Sequence, residues 1–202
     1  MEENNRTILA LDMSTTCTGW ALFSNLGNLL SFGTLKPNTK GGVAKMKYPR
    51  QQLVKMMDLG GQILELIKNT KPDTIVIEEV AGSKNRLTQK VLDGLHFIVA
   101  EYIQPYLDIV TYYDVTGSAG WRTALQLRLS EADKDSNKKA KVLNKKLTPS
   151  QRIPIIGPKH LACRHANSHF NLALDCDLRE SDGDIADAVC MGHAHVKFRL
   201  PK

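Results

Sequence analysis

An acidic residue at the end of an apolar run constrains the fold of this chain more than any other sequence feature. Residues 8–11 read Ile-Leu-Ala-Leu, a continuous apolar run typical of a strand buried on both faces, and Asp12 follows directly. Small and polar residues then lead to Gly19 and a second apolar run, which predicts an antiparallel hairpin. A buried strand ends in an acid where the side chain meets water, caps a turn or binds a metal ion. Asp12 is therefore either a site carboxylate or a turn residue that caps its own backbone.

Apolar periodicity beyond the hairpin predicts an α/β fold. Further elements are predicted, in chain order, at 29–35 (strand), 48–70 (helix), 74–77 (strand), 88–102 (helix) and 107–113 (strand). The fourth strand, like the first, runs directly into an acid, Glu78. Because a strand, a helix and a strand in succession build a parallel pair, we expect a five-stranded mixed sheet flanked by helices, with three antiparallel strands followed by parallel strands.

A third acidic position lies on the last predicted helix, at 183–196. Asp184 and Asp187 are three residues apart, so both carboxylates lie on one helical face and repel each other. Acids are favoured at a helix N-terminus, which accounts for Asp184, but Asp187 is already one turn inside the helix. A cation between the two acids is the alternative explanation.

The four carboxylates form an all-oxygen set of the kind that Mg²⁺ or Mn²⁺ prefers. They are Asp12, Glu78, Asp184 and Asp187. Four acids suit two ions, and two such ions stabilise both the attacking water and the leaving oxygen when a phosphodiester is cleaved. The sequence therefore predicts these four residues as catalytic residues and metal ligands.

Positive charge is concentrated in one part of the chain. Residues 121–170 carry eleven Lys and Arg against three acids, a balance of +8 in a chain of net charge +6. Such a block favours a polyanionic partner, nucleic acid first, although a solvated lysine loop is the common alternative. Residues 130–158 lack a sustained apolar period and are predicted to be a partly mobile basic insertion. The predicted DNA contacts are Lys84, Arg86, Arg122, Lys138, Lys139, Lys141, Lys145 and Lys146. Trp121 either stacks on DNA or anchors its helix to the sheet.

Length and composition indicate one domain, residues 1–202, in a reducing compartment. The four cysteines are scattered without a Cys-x-x-Cys pair, which argues against disulfides. The first residues are polar and no apolar run reaches the length of a membrane span. We expect a soluble cytoplasmic protein with no membrane partner.

These motifs together resemble the ribonuclease H-like nucleases, and most closely the RuvC-type Holliday junction resolvases. The opening motif of that family matches Asp12 followed by Thr18, Gly19 and Trp20, and its fourth strand matches Ile77 and Glu78. Its C-terminal motif matches residues 184–188, Asp-Ile-Ala-Asp-Ala. Two departures exist: Met-Ser replaces Pro-Gly after the first Asp, and the insertion is longer than in the standard family core. The chain is therefore more similar to the bacteriophage forms of the family than to the cellular enzyme.

The resemblance implies a metal-dependent crossover junction endodeoxyribonuclease that cleaves Holliday junctions or other branched DNA during recombination and repair. It implies two Mg²⁺ or Mn²⁺ ions per site and a location in a bacterial cell or a phage-infected host. It also implies a homodimer formed through the helix at 88–102, for which Leu87, Val91, Leu95 and Ile98 form the predicted interface stripe. A two-fold dimer would match the two equivalent strands of a four-way junction.

Other interpretations compete with this one. Residues 11–16 also resemble the first phosphate loop of actin-like and sugar-kinase nucleotide-binding domains, although a second glycine-rich loop is not evident. A non-catalytic junction-binding protein is a third hypothesis. Cys163, His165, His169 and Cys176 could form a zinc site, although their spacing is not that of a standard finger.

Overall fold

A five-stranded mixed sheet organises the protein, as the sequence predicts. The structure, a computed structural model, describes residues 6–79, 85–113, 120–176 and 182–198. The strands are β1 (Thr7–Asp12), β2 (Thr18–Ser24), β3 (Leu29–Leu35), β4 (Thr74–Glu78) and β5 (Val110–Tyr113). They lie in the order β3-β2-β1-β4-β5, in which β1, β2 and β3 are antiparallel and β4 and β5 run parallel to β1.

The position of β1 explains its apolar sequence. It lies at the centre of the sheet, and residues 8–11 are at most 1% exposed because helices cover both faces. Leu11 pairs with Ile77 of β4, so Asp12 and Glu78 follow at the same end of two adjacent parallel strands. Asp12 pairs with Gly19 on its other side. The strand register therefore brings two of the predicted site acids together at the edge of the sheet formed by the C-terminal ends of β1 and β4.

Six α-helices and two apolar cores complete the fold within the described residues. The helices are α1 (Arg50–Thr70), α2 (Arg86–Tyr102), α3 (Trp121–Ala124), α4 (Glu131–Asn144), α5 (Pro158–Phe170) and α6 (Asp182–Phe198). One core packs α1 and α2 against the sheet, and the other packs α3, α5 and α6 against the opposite face. Within the described residues, no helix is long and apolar enough to cross a lipid bilayer.

Small residues allow α6 to lie unusually close to the sheet. A Cβ atom built on Gly19 of β2 would lie 2.0 Å from the backbone oxygen of Asp184, and one on Gly192 would lie 2.5 Å from the Phe23 ring. Neither distance is sterically possible, so both positions require glycine. Because Gly19 pairs with Asp12 of β1, this contact places the first turn of α6 beside Asp12.

The basic insertion is more regular than its sequence indicates. Part of residues 130–158, predicted to be a partly mobile insertion without a sustained apolar period, forms α4, which begins with a capping box between Ser130 and Asp133. Asn137 and Asn144 each exchange two hydrogen bonds with the backbone of one residue on the returning chain, Ile156 and Ile153 respectively, at 2.8–2.9 Å. Apolar periodicity does not reveal this helix because polar caps and amide side chains, rather than apolar residues, hold it in place.

The prediction of an interface stripe on α2 is wrong in part, because three of its four residues belong to the apolar core or pack against it. Leu95 is completely buried, and Val91 and Ile98 pack against the same apolar core. The exposed apolar residues of this helix are Leu87 and Phe97, which are 51% and 77% exposed. The last strand is also shorter than predicted, because residues 104–109 form a 3₁₀ helix before it.

Candidate active site

Three elements bring the four predicted acids together at one edge of the sheet. Asp12 and Glu78 lie at the ends of β1 and β4, and Asp184 and Asp187 lie in the first two turns of α6. We call these four residues the acidic site. Burial raises the pKa of Asp12 well above its usual range, and the charges of Asp187, Glu78 and Asp184 raise it further, whereas Lys159 lowers it. The four carboxylates are therefore close enough to repel one another.

Asp187 is the most buried member of the acidic site. The residue is only 2% exposed, and burial raises its pKa to about 6, although Arg122 and Lys159 act in the opposite direction. Its Oδ2 atom accepts a hydrogen bond from Arg122, but its Oδ1 atom is buried without a hydrogen-bond partner in the described part of the chain. A buried acceptor of this kind costs stability unless a donor or a cation reaches it.

Arg122 lies inside the acidic site rather than on the surrounding surface. Its Nη1 and Nη2 atoms donate to Glu78 Oε1 and Asp187 Oδ2, each at 3.0 Å. Trp121 Nε1 donates to the same Glu78 oxygen at 2.7 Å, and the Arg122 guanidinium lies 3.9 Å from the centroid of the Trp121 ring. Since Trp121 is only 1% exposed, it is the buried anchor among the two alternatives considered for it. Arg122, a predicted DNA contact, and Trp121 thus orient two acids.

Lys159 is a site residue that the sequence did not reveal. It lies in the first turn of α5 and its ammonium forms an ion pair with Asp184. Burial lowers its pKa, but the hydrogen bond to Asp184 and the charges of Asp12 and Asp187 outweigh this effect and raise the pKa overall. Lys159 is 25 residues from Asp184 in sequence, so no local spacing could have indicated the contact.

The donor chemistry of the acidic site fits a divalent ion, whereas its present arrangement does not. Carboxylate oxygens are the ligands that Mg²⁺ and Mn²⁺ prefer, and the unpartnered Asp187 Oδ1 is an open ligand position. Among the described residues, however, no three acidic, histidine or cysteine side chains are arranged to hold one metal ion. Three of the four acids are instead paired with Arg122 or Lys159. Metal binding would therefore require these ion pairs to open.

The alternative zinc set is not assembled. The His165 Nε2 atom lies 3.1 Å from His193 Nδ1, and the His165 ring stacks on that of His169 with centroids 5.5 Å apart. In the part of the chain that the structure describes, no three histidine, cysteine or acidic side chains are arranged to hold one metal ion. The Cys163 sulfur lies 3.9 and 3.7 Å from the backbone oxygens of Asp175 and Asp182. Burial, with the nearby His169 and His165 and Lys197, lowers the pKa of His193 to about 4. These residues form a packed contact between α5 and α6.

The predicted DNA-binding lysines are exposed on α4 and just beyond it, and Arg86 is exposed at the start of α2. Lys84 lies outside the described residues. Spacings of four, three and four residues place one group of lysines along one side of α4, a set we call the lysine stripe. The lysine stripe consists of Lys134, Lys138, Lys141 and Lys145. Lys139 follows Lys138 directly and therefore points to a different side of the helix.

Comparison with known proteins identifies the fold. No protein-family model and no curated protein matches the chain. Among solved structures, Thermus thermophilus RuvC in complex with a Holliday junction substrate is similar with a TM-score of 0.56 and 13% identity, covering 94% of this chain and 92% of RuvC. A second T. thermophilus RuvC structure gives a TM-score of 0.51 at 12% identity, with the same coverage. The yeast mitochondrial Holliday junction resolvase Ydc2 gives 0.51 at 14% identity, covering 96% of this chain and 78% of Ydc2. At these identities the likeness is one of fold, and it agrees with the predicted α/β architecture of a five-stranded mixed sheet flanked by helices.

Proposed function

We propose that this protein is a metal-dependent, structure-selective endonuclease that hydrolyses phosphodiesters in Holliday junctions or other branched DNA. The observation that carries the proposal is the meeting of Asp12, Glu78, Asp184 and Asp187 at one sheet edge, in a fold shared with RuvC and Ydc2. Repulsion among buried carboxylates lowers stability, so a structural role does not account for them. The proposal includes two Mg²⁺ or Mn²⁺ ions, a role in recombination and repair, a cytoplasmic location and kinship with the bacteriophage forms.

In this proposal the four carboxylates would hold the ions, which supply charge stabilisation and an activated water. The chain itself supplies position and a low dielectric environment. Asp12 is fixed by the central strand, and Trp121 orients the Glu78 carboxylate through its indole N–H. The close approach of α6 to Gly19 fixes Asp184 beside Asp12, and burial of Asp187 keeps water away from that carboxylate. Such preorganised charges act more strongly in a partly dry site than in water.

The experiment that tests the proposal is a panel of labelled four-way, three-way, flap and linear duplex DNAs. We expect cleavage of the branched substrates in Mg²⁺ or Mn²⁺ and none in EDTA. Binding of junctions without cleavage in either metal would instead support the non-catalytic junction-binding hypothesis. Binding of ATP with no affinity for any of the DNAs would favour the nucleotide-binding hypothesis.

The lysine stripe is the surface that we propose for the DNA backbone. Its four ammonium groups span about 16 Å of helix, at 1.5 Å per residue, and bind phosphate charge without reading sequence. We expect the double variant K138A/K141A to flatten the dependence of log K on log salt concentration by about 0.9 for each lysine that binds a phosphate in the parent. Binding of a four-way junction, measured by fluorescence anisotropy from low to moderate salt in EDTA, gives this slope.

The matched control for the stripe is K139A/K146A, which removes the same charge from the same segment. We expect its salt slope to remain closer to that of the parent. Equal slopes for the two double variants would show that the lysines act only through net charge, and an unchanged slope in both would mean that α4 does not contact DNA.

We propose a homodimer whose interface includes the exposed apolar residues of α2. Phe97 is 77% exposed, and Tyr112 on the neighbouring edge strand β5 is 46% exposed and lies close to His96 of α2. Burying a charge without a partner is strongly unfavourable, so Phe97→Glu should convert a dimer into a monomer in sedimentation velocity. Leu26→Glu is the control, since Leu26 is 70% exposed between β2 and β3 at the opposite side of the sheet. A Phe97→Glu protein that remains dimeric would place the interface elsewhere, and a monomeric parent would end the dimer proposal.

A further inference from the structure

The guanidinium of Arg122 occupies carboxylate oxygens that a metal ion would need. It bridges Glu78 and Asp187, which come from β4 and α6 and are 109 residues apart in sequence. The Glu78 Oε1 atom accepts hydrogen bonds from both Trp121 and Arg122. An oxygen with two donors at this distance has little capacity left for an additional ligand. Glu78 and Asp187 are therefore linked by a cation that the chain itself supplies.

The surroundings of Arg122 indicate that its contact with Glu78 and Asp187 is a defined feature of the fold rather than an incidental surface ion pair. The side chain is 29% exposed, its Nε atom is buried without a hydrogen-bond partner in the described residues, and its plane lies over the Trp121 ring. An unsatisfied buried donor is unfavourable, so the bidentate contact with two acids must compensate for it. Lysine could not form the same bridge, because only the guanidinium carries a planar fork of donors.

We propose that Arg122 competes with divalent metal ions for Glu78 and Asp187, so that the protein without bound DNA resists metal loading until this guanidinium leaves. The proposal rests on the metal-dependent function proposed above and concerns how its site is controlled. It accounts for the coexistence of an all-oxygen donor set with an arrangement in which no three ligands of the described chain converge on a metal. Arg122 then stabilises the metal-free protein by neutralising acids that would otherwise repel each other.

The test is the affinity of the DNA-free protein for Mn²⁺, measured by isothermal titration calorimetry, in the parent and in Arg122→Gln. We expect the dissociation constant to fall by at least about tenfold, because a unit charge within hydrogen-bonding distance of the ligands is worth more than that factor at the effective dielectric of a protein. Arg122→Lys keeps the charge but loses the fork, and we expect an intermediate affinity. Arg164→Gln is the control: it removes an arginine paired with Asp133 at 2.7 Å, outside the acidic site, and should leave Mn²⁺ affinity unchanged.

A second measurement guards against a folding defect. In EDTA, Arg122→Gln should melt below the parent because its acids lose their partner, and added Mn²⁺ should raise its melting temperature more than it raises that of the parent. Equal or weaker Mn²⁺ affinity in Arg122→Gln, with parent binding abolished by Asp187→Asn, would overturn the competition and leave the nuclease proposal intact. If no variant showed Asp187-dependent Mn²⁺ binding, both proposals would fall together.

Discussion

Asp187→Asn should abolish DNA cleavage while leaving junction binding and the fold intact. The substitution keeps the shape of the side chain but removes the charge that would balance a divalent ion. We expect the cleavage rate to fall by at least about a hundredfold, the scale on which losing one stabiliser of transition-state charge acts. Single-turnover cleavage of a labelled four-way junction in Mg²⁺ measures the effect. We expect Asp12→Asn and Glu78→Gln to lose cleavage in the same way as Asp187→Asn.

The stability of Asp187→Asn separates this prediction from simple damage. Burial raises the pKa of Asp187 to about 6. Ionising this carboxyl group therefore costs more free energy in the folded protein than in the unfolded chain. A raised carboxyl pKa makes the folded state relatively less stable as pH rises from the unfolded value toward and through the folded one. At neutral pH the Asp187→Asn protein, which carries a neutral amide, should therefore have a melting temperature equal to or higher than that of the parent. Cleavage near the parent rate would mean that Asp187 is not a metal ligand.

Gly19→Ala should lower the stability of the protein strongly, although the residue lies outside the acidic site. The added Cβ would lie 2.0 Å from the Asp184 backbone oxygen and 2.9 Å from the Ile185 nitrogen, so α6 must move away from the sheet. Overpacking of this kind costs about 3 kcal/mol when the clash is with backbone. For a chain of this size that corresponds to a melting temperature lower by roughly 10 °C. Cleavage should also be abolished, because Asp184 moves with the helix.

The control for Gly19→Ala is Gly42→Ala. A Cβ on Gly42 meets no atom within 4 Å, so the substitution should change the free energy of unfolding by less than about 1 kcal/mol. Thermal melts of the three proteins, followed by junction cleavage at a temperature where all are folded, give both results. A Gly19→Ala protein as stable and active as Gly42→Ala would show that α6 does not need to lie so close to β2.

Local patterns predict the acids, whereas contacts between distant residues had to come from the structure. Asp12 and Glu78 are evident because each ends an apolar run, and a parallel register then brings them together. The bridge formed by Arg122 joins residues 44 and 65 positions away, which no spacing rule encodes. The sequence predicts Leu95 at an interface because an apolar stripe does not say whether a second chain or the same core covers it.

The amide contacts of α4 have a consequence for how this protein can diverge. Asn137 and Asn144 bind main-chain groups of residues 156 and 153, which every amino acid except proline provides in full. Within the described residues, neither apolar core includes a side chain of α4. The outer surface of this helix can therefore change in charge and shape through many substitutions while the acidic site remains untouched, so that the proposed DNA contacts and the proposed chemistry can evolve separately.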